Sequence, residues 1–254
     1  MDAKDQELFD QAKQIVFLTG AGVSTASGIP DFRSANGLYT QNHNAEYYLS
    51  HRYFETDPDG FYEFCKQNLY FPDALPNPIH QKQVALALQD RATIITQNID
   101  NLYEVEFQKQ GAKPRHLIDF HGNLYHVYCE KCGQTVPVSE YLDSRLHQTD
   151  QGPLRPDIVL YDEGIKQDDI LDSVHAMQKA DLVVIVGTSM RVYPFAGLLE
   201  YRNPQAKVMA VNQEKLDFPF PFEMIQADAT SFFCRTARLK ATEGPACCCK
   251  LSLS

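Results

Sequence analysis

The chain has 254 residues, 44% of them apolar, 22% charged and 11% aromatic, a composition that excludes disorder over most of its length and suits one large domain carrying a smaller one. Its 23 Lys and Arg against 33 Asp and Glu leave a formal charge of −10, which repels a phosphate backbone and disfavours nucleic acid as a partner. Apolar runs such as Leu182–Val186 fall far short of the ~20 residues a membrane span needs. The first ten residues lack the basic-then-apolar pattern of a secretory signal, so the expectation is a cytoplasmic protein with no membrane partner.

In chain order, residues 8–13 belong to an amphipathic opening helix, and Ile15–Thr19 is an apolar, β-branched run stopped by Gly20, the pattern of a buried parallel strand entering a glycine loop. Residues 34–78 are rich in Tyr, Phe, Asn and Asp and contain Pro58, Pro72, Pro76 and Pro78, which predicts irregular helices inserted after that loop as a cover. Residues 84–88 then read as helix, Ala92–Thr96 as strand, 102–110 as helix and 116–120 as strand. Two short β-like pieces, 125–128 and 135–138, flank a tight turn at Gly133 and predict a small separate module. Residues 170–179 are helical in pattern, Leu182–Val186 is a buried strand ending at Gly187, and 208–211 is another ending at Asn212. Such alternation predicts an α/β fold, a Rossmann-like doubly wound parallel sheet with helices on both faces. The expected division is 1–33, 79–121 and 152–235 for the sheet domain, 34–78 for the helical insertion, 122–151 for the small module and 236–254 for a disordered tail.

Seven cysteines in so long a chain do not form a disulfide framework: Cys65 and Cys234 stand alone, and Cys247, Cys248 and Cys249 adjoin in the tail. Cys129 and Cys132, separated by two residues within the small module, read as metal chemistry and make that module zinc-ribbon-like. The tail lacks a prenylation box, because Leu251 stands where its cysteine would be.

The segment GAGVSTASGIPDFR at 20–33 directly follows the first strand, the place where a doubly wound sheet binds a pyrophosphate. Gly20 and Gly22 allow close backbone approach, but the next glycine, Gly28, breaks the dehydrogenase spacing, so hydride transfer is disfavoured. Ser24 and Thr25 add hydroxyls, and Asp31, Phe32 and Arg33 add a carboxylate, an aromatic face and a guanidinium. TQNID at 96–100 ends the next strand at the same edge; Asn98 or Asp100 could equally cap the helix that follows. His121, next to Gly122 at another strand end, is by position the candidate general base.

These motifs, with Leu154-Arg155-Pro156, Gly187-Thr188-Ser189 and Asn212, resemble in kind and order those of the sirtuins, NAD-dependent protein lysine deacylases. The resemblance runs from about Gly20 to Asp228. It implies transfer of the acyl group of an acyl-lysine protein or peptide to ADP-ribose, with release of nicotinamide. Gly20, Ala21, Gly22, Thr25, Asp31 and Phe32 would then face NAD, with Arg33 and Gln97 orienting ribose and phosphates. Asp100 would grip the nicotinamide carboxamide between Ile99 and Phe32, Asn98 would position a ribose hydroxyl or a water, and His121 would take a proton from the ribose. Gly187, Thr188 and Ser189 would meet the adenosine half, with Asn212 on its ribose. Residues 157–161, with Ile158, Val159 and Tyr161, would form the strand to which substrate peptide adds. Asp162 stands where the family often has glycine, which questions the local turn.

Sirtuins carry two C-x-x-C pairs, and counting back from Leu154 puts the second pair at His147 and Asp150. Two readings follow: a structural zinc site of Cys129, Cys132, His147 and Asp150, or a metal-free hairpin held by packing. The family's Tyr and Arg for acidic acyl groups, at Y-x-x-R spacing, is absent from 34–78, so short neutral acyl groups are expected. The alternatives are mono-ADP-ribosyl transfer or NAD hydrolysis by the same ribose chemistry, and an idle NAD-binding docking module.

Overall fold

The computed structural model describes residues 3–32, 37 and 44–235. Six parallel strands form the main sheet in the order β3 (Leu117–Asp119), β2 (Ala92–Thr96), β1 (Ile15–Thr19), β7 (Leu182–Val186), β8 (Lys207–Asn212) and β9 (Glu223–Gln226). β1 pairs with both β2 and β7, Phe17 lying between Ile94 and Val184. Side chains alternate across this sheet. Ile15, Phe17, Ile94, Val184 and Met209 face a core closed by α1 (Ala3–Gln11), α5 (Pro78–Leu88), α6 (Leu102–Lys109) and α9 (Ala229–Arg235). Val16, Leu18, Ile95, Ile185 and Ala210 face the opposite core, under α8 (Gln167–Lys179) and the 3-10 segment Phe195–Tyr201. A sheet buried on both sides accounts for continuous apolar runs where a half-exposed strand would alternate.

The insertion expected at 34–78 contains α2 (Ala45–Tyr48), α3 (His51–Thr56) and α4 (Pro58–Asn68). Ser50 caps α3 by accepting from the Tyr53 N–H, and Asp57 caps α4 by accepting from Gly60, with Pro58 in the first turn. Phe54, Phe61 and Phe64 of the insertion pack with Leu124, Ile158 and Leu160, which ties it to the small module.

That module is a three-stranded antiparallel sheet in the order β5 (Thr135–Val136), β4 (Gly122–Cys129) and β6 (Leu154–Ile158), and it differs from expectation in three ways. The second piece ends at Val136, because Pro137 leads directly into α7 (Val138–Asp143). The first piece runs the full length of β4. The third strand, β6, starts earlier than the expected 157–161 strand and belongs to this sheet, beyond the boundary drawn at 151. Among the other expected elements, the helix at 84–88 begins at Pro78, and β9, α9 and the Phe195–Tyr201 segment were not anticipated. Arg33 and the tail at 236–254, with its cysteines, lie outside the described residues.

Candidate active site

The strand order reverses between β1 and β7, whose chain connections lead to opposite sides of the sheet, and a crevice forms at such a switch point beyond the carboxyl ends of the strands. Here it is a cavity of about 470 Å³. After β1 the chain makes two 3-10 turns, Ala21–Val23 and Thr25–Ser27. A methyl group on Gly20 would lie 2.7 Å from the Thr188 side chain, and one on Gly22 would lie 2.8 Å from the Gly187 Cα. The glycines therefore serve first to nest two strand-end loops together, and the Gly22 N–H donates to the Gly187 carbonyl at 2.9 Å.

The turn after β2 joins the same wall. Gln97 Nε2 donates to Thr188 Oγ1 at 2.8 Å, and Asn98 Nδ2 donates to Ser24 Oγ at 3.0 Å. Ser24 in turn donates to Asp100 Oδ2 at 2.5 Å, while Asp100 Oδ1 accepts from the Leu102 N–H at 3.1 Å. Asp100 thus combines the capping role with a link to the glycine loop, and burial raises its carboxyl pKa above the ordinary range. His121 follows β3, its ring 6.3 Å from that of Phe195. Its Nδ1 lies 3.3 Å from the Gln97 carbonyl. A carbonyl only accepts, so in the neutral ring Nδ1 carries the hydrogen and Nε2 keeps its lone pair. Burial lowers the His121 pKa below its ordinary value, favouring that neutral form.

The opposite wall is the segment after β6. The Val159 N–H donates to the His121 carbonyl at 2.9 Å, the Tyr161 N–H to Leu49 at 2.9 Å, and the His51 N–H to Tyr161 at 3.0 Å. The expected strand at 157–161 is thus β6 to Ile158, then an irregular stretch stapled to the helical insertion by a single bridge between Ser50 and Tyr161. Asp162 adopts φ 74°, the left-handed turn a glycine would take freely. Arg155 Nη2 donates to Glu163 Oε2 at 2.5 Å, and that oxygen also accepts from the Leu160 N–H at 2.9 Å. His51 Nδ1 lies 2.7 Å from Glu163 Oε1.

The expected NAD-facing residues within the described chain line this cavity, with Asp100 the exception. Its carboxylate, turned back to Ser24 and Leu102, lines a neighbouring pocket of about 40 Å³ with Ile29, Pro30 and Leu69; Ala21, Phe32, Asn98 and Ile99 line both. The expected substrate residues Ile158, Val159 and Tyr161 line the main cavity, as do Leu160, Arg191, Val192 and Tyr193, which the sequence reading did not single out. Their signal was position: they continue directly from Val159 and from the Ser189 loop at the same sheet edge.

In the small module, Cys129, Cys132, His147 and Asp150 each offer a ligand atom, all within 4.8 Å of one another. Cys132 Sγ is 3.6 Å from His147 Nδ1, Cys129 Sγ is 3.5 Å from Asp150 Oδ1, and His147 Nδ1 is 3.0 Å from that same oxygen. Around a tetrahedral zinc with bonds of about 2.0–2.3 Å, ligand atoms stand roughly 3.3–3.8 Å apart. The 3.6 and 3.5 Å separations fall in that range and the 3.0 Å contact is shorter, so the donor types fit the ion and the four atoms lie close enough to close around it with a small adjustment. Asp150 also accepts the Gly152 N–H, the main reason its pKa is lowered to about 2.

A doubly wound sheet with a switch-point cavity and an inserted metal-type module defines a nucleotide-cleft protein. A sequence model of the Sir2 family matches residues 20–194, and the chain belongs to that family. It is 61% identical over 228 residues to an NAD-dependent protein deacetylase of Lactiplantibacillus plantarum, covering 90% of this chain and 95% of that protein. To one of Listeria innocua it is 50% identical over 228 residues, covering 90% and 97%. Among solved structures, a Sir2 with p53 peptide and NAD+ superposes with TM-score 0.78 at 32% identity, over 92% of this chain and 97% of that one. A Sir2 bound to acetylated peptide does so with TM-score 0.77 at 31% identity, over the same shares.

Proposed function

We propose that this chain is an NAD-dependent protein lysine deacylase that moves the acyl group of acyl-lysine proteins or peptides to ADP-ribose and releases nicotinamide. One observation carries this reading: the glycine loop, the Gln97–Asn98–Ile99 turn, His121 and the Ile158, Val159 and Tyr161 backbone share a single cavity, so a dinucleotide and an acyl-lysine can meet at one base. Relatives at 61% and 50% identity, named NAD-dependent protein deacetylase, support it.

Bound NAD supplies a ribose carbon that becomes electrophilic as nicotinamide departs. Gly20, Ala21 and Gly22 hold the pyrophosphate side, Thr25 and Asp31 face NAD from the same loop, and Arg33 orients ribose and phosphates. Phe32 and Ile99 wall the leaving ring and keep water from the reacting carbon, and Asp100 receives the carboxamide from the adjoining pocket. Gln97 and Asn98 fix the ribose, and His121 Nε2 takes a proton from a ribose hydroxyl. Gly187, Thr188 and Ser189 take the adenosine half, with Asn212 on its ribose, while Ile158, Val159 and Tyr161 pair with the peptide backbone. Cys129, Cys132, His147 and Asp150 hold a zinc ion whose part is structural, cross-linking the module at 122–151. We place the enzyme in the cytoplasm, where free thiols such as buried Cys65 stay reduced. Incubation with NAD and an acetyl-lysine peptide, followed by mass spectrometry, tests this reading: acyl-ADP-ribose and deacylated peptide support it, whereas free ADP-ribose or labelled protein alone refutes it.

A further inference from the structure

Asn77, just ahead of α5, is 6% exposed and takes no part in the site described above. Its Nδ2 donates to the Val23 carbonyl at 2.7 Å and to Ser27 Oγ at 2.9 Å. Its Oδ1 accepts from the Ile79 N–H at 2.9 Å, and its own N–H donates to His80 Nδ1 at 3.3 Å. One side chain therefore joins the start of a buried helix to the rear of the loop whose front, Ala21, Gly22 and Thr25, lines the cavity.

The anchor behind it is buried. His80 is fully buried, its ring centroid 4.7 Å from that of Tyr103, and Tyr103 donates to Gln83 Oε1 at 2.6 Å. Burial alone lowers the His80 pKa to about 3, so the ring stays neutral and can accept from Asn77. Capping a helix needs only an acceptor, and Ser or Asp does it as well as Asn. What the amide adds is the double donation into the loop. Val23 lies between Gly22, seated on Gly187, and Ser24, which links Asn98 to Asp100. Fixing its carbonyl therefore fixes the orientation of both neighbours.

We infer that Asn77 is a positioning residue for the dinucleotide: without touching it, the amide holds the glycine loop in the register that presents Ala21, Gly22 and Thr25 to the ligand and Ser24 to Asn98 and Asp100. This rests on the NAD-dependent reading above. Asn77→Asp tests it, since it keeps the length and the helix cap while replacing the donor with an acceptor that faces the Val23 carbonyl. Losing hydrogen bonds worth about 1.4 kcal/mol predicts a rise of about tenfold in KM for NAD, matched by weaker NAD binding in calorimetry. KM for the acyl peptide and kcat at saturating NAD stay close to wild type, while Tm falls somewhat because a carboxylate now faces a buried carbonyl. Ser27→Ala removes one of the two acceptors and leaves the cap alone, so it predicts a rise of about two- to threefold in KM for NAD; this second variant serves if the first does not fold. Unchanged NAD affinity in Ser27→Ala and in soluble Asn77→Asp overturns the inference. So does a loss of peptide affinity and kcat in step with the loss of NAD affinity, the mark of a purely structural role. A wild-type chain that binds NAD but never releases nicotinamide refutes the proposed function, while the calorimetric comparison still decides the role of Asn77.

Discussion

His121 owes its properties to two neighbours: the Gln97 carbonyl, which fixes the tautomer, and a buried setting that disfavours the imidazolium. With its pKa lowered, the ring is neutral at neutral pH and gains a proton only below the ordinary value of about 6.5. The kcat/KM profile should therefore stay flat from neutral pH down past that value and fall on the acid side of it; a limb centred above it contradicts the assignment. His121→Ala should cost about 10²–10⁴ in turnover while NAD binding persists, which calorimetry beside a nicotinamide-release assay checks. Asp162 offers a second test at this scale, because φ 74° strains any side chain. Asp162→Val should lose about 1–2 kcal/mol in urea unfolding, and Asp162→Gly should lose nothing. Residue identities were legible where the chemistry is local: the hydroxyls, carboxylate and imidazole of the motifs stand where the sequence puts them. Partners distant in sequence were not, since nothing in Gly20 or Gly22 announces that Gly187 and Thr188 fill the space their side chains would occupy.

The peptide-facing segment depends on a charge cluster joining three elements. Arg155 on β6 is 7% exposed, pairs with Glu163 and stacks 5.0 Å from the Phe54 ring of α3, while His51 of α3 meets Glu163 from the other side. Burial pushes the Glu163 carboxyl up, but Arg155 and the Leu160 N–H outweigh it and hold its pKa below the ordinary value. Glu163→Gln leaves a buried guanidinium poorly paired and should cost about 2 kcal/mol. It should raise KM for the peptide more than KM for NAD, because Glu163 also fixes the Leu160 backbone. The hydrogen bond to Glu163 raises the His51 pKa, so the ion-pair contribution is full below the unfolded value and fades as pH rises through the folded one. Melting of wild type against His51→Gln should differ at acid pH and converge in alkali. At this scale the sequence misled where packing overrode pattern: β6 reads poorly as a strand because Arg155 and Pro156 interrupt it. Yet it is an edge strand, where a proline is tolerated and the arginine finds its partners. The short edge strand β9 escaped for a related reason, its residues being half-buried or exposed without clear alternation.

Across the whole molecule, the alternation of helix and buried strand made the doubly wound sheet readable, since each apolar run had to be covered on both faces. How the insertion docks was not readable. It rests on contacts such as Tyr62 donating to the Leu142 carbonyl at 3.0 Å and Tyr70 to the Leu124 carbonyl at 2.8 Å, joining residues 80 and 54 positions apart. The metal group was readable only by counting spacing, and the fold brings all four residues together. Protein purified without chelator should carry one zinc per chain by elemental measurement and lose thermal stability when a strong chelator removes it. A metal-free chain with an unchanged Tm contradicts the site. The central claim, that this cavity activates NAD toward an acyl-lysine beside His121, is tested most directly by mass spectrometry of wild type and His121→Ala incubated with NAD and an acetyl-lysine peptide. The account predicts acyl-ADP-ribose and deacylated peptide from wild type and about 10²–10⁴-fold slower formation of both by the variant. Equal yields from both, or nicotinamide release with the acyl group still on lysine, would contradict it.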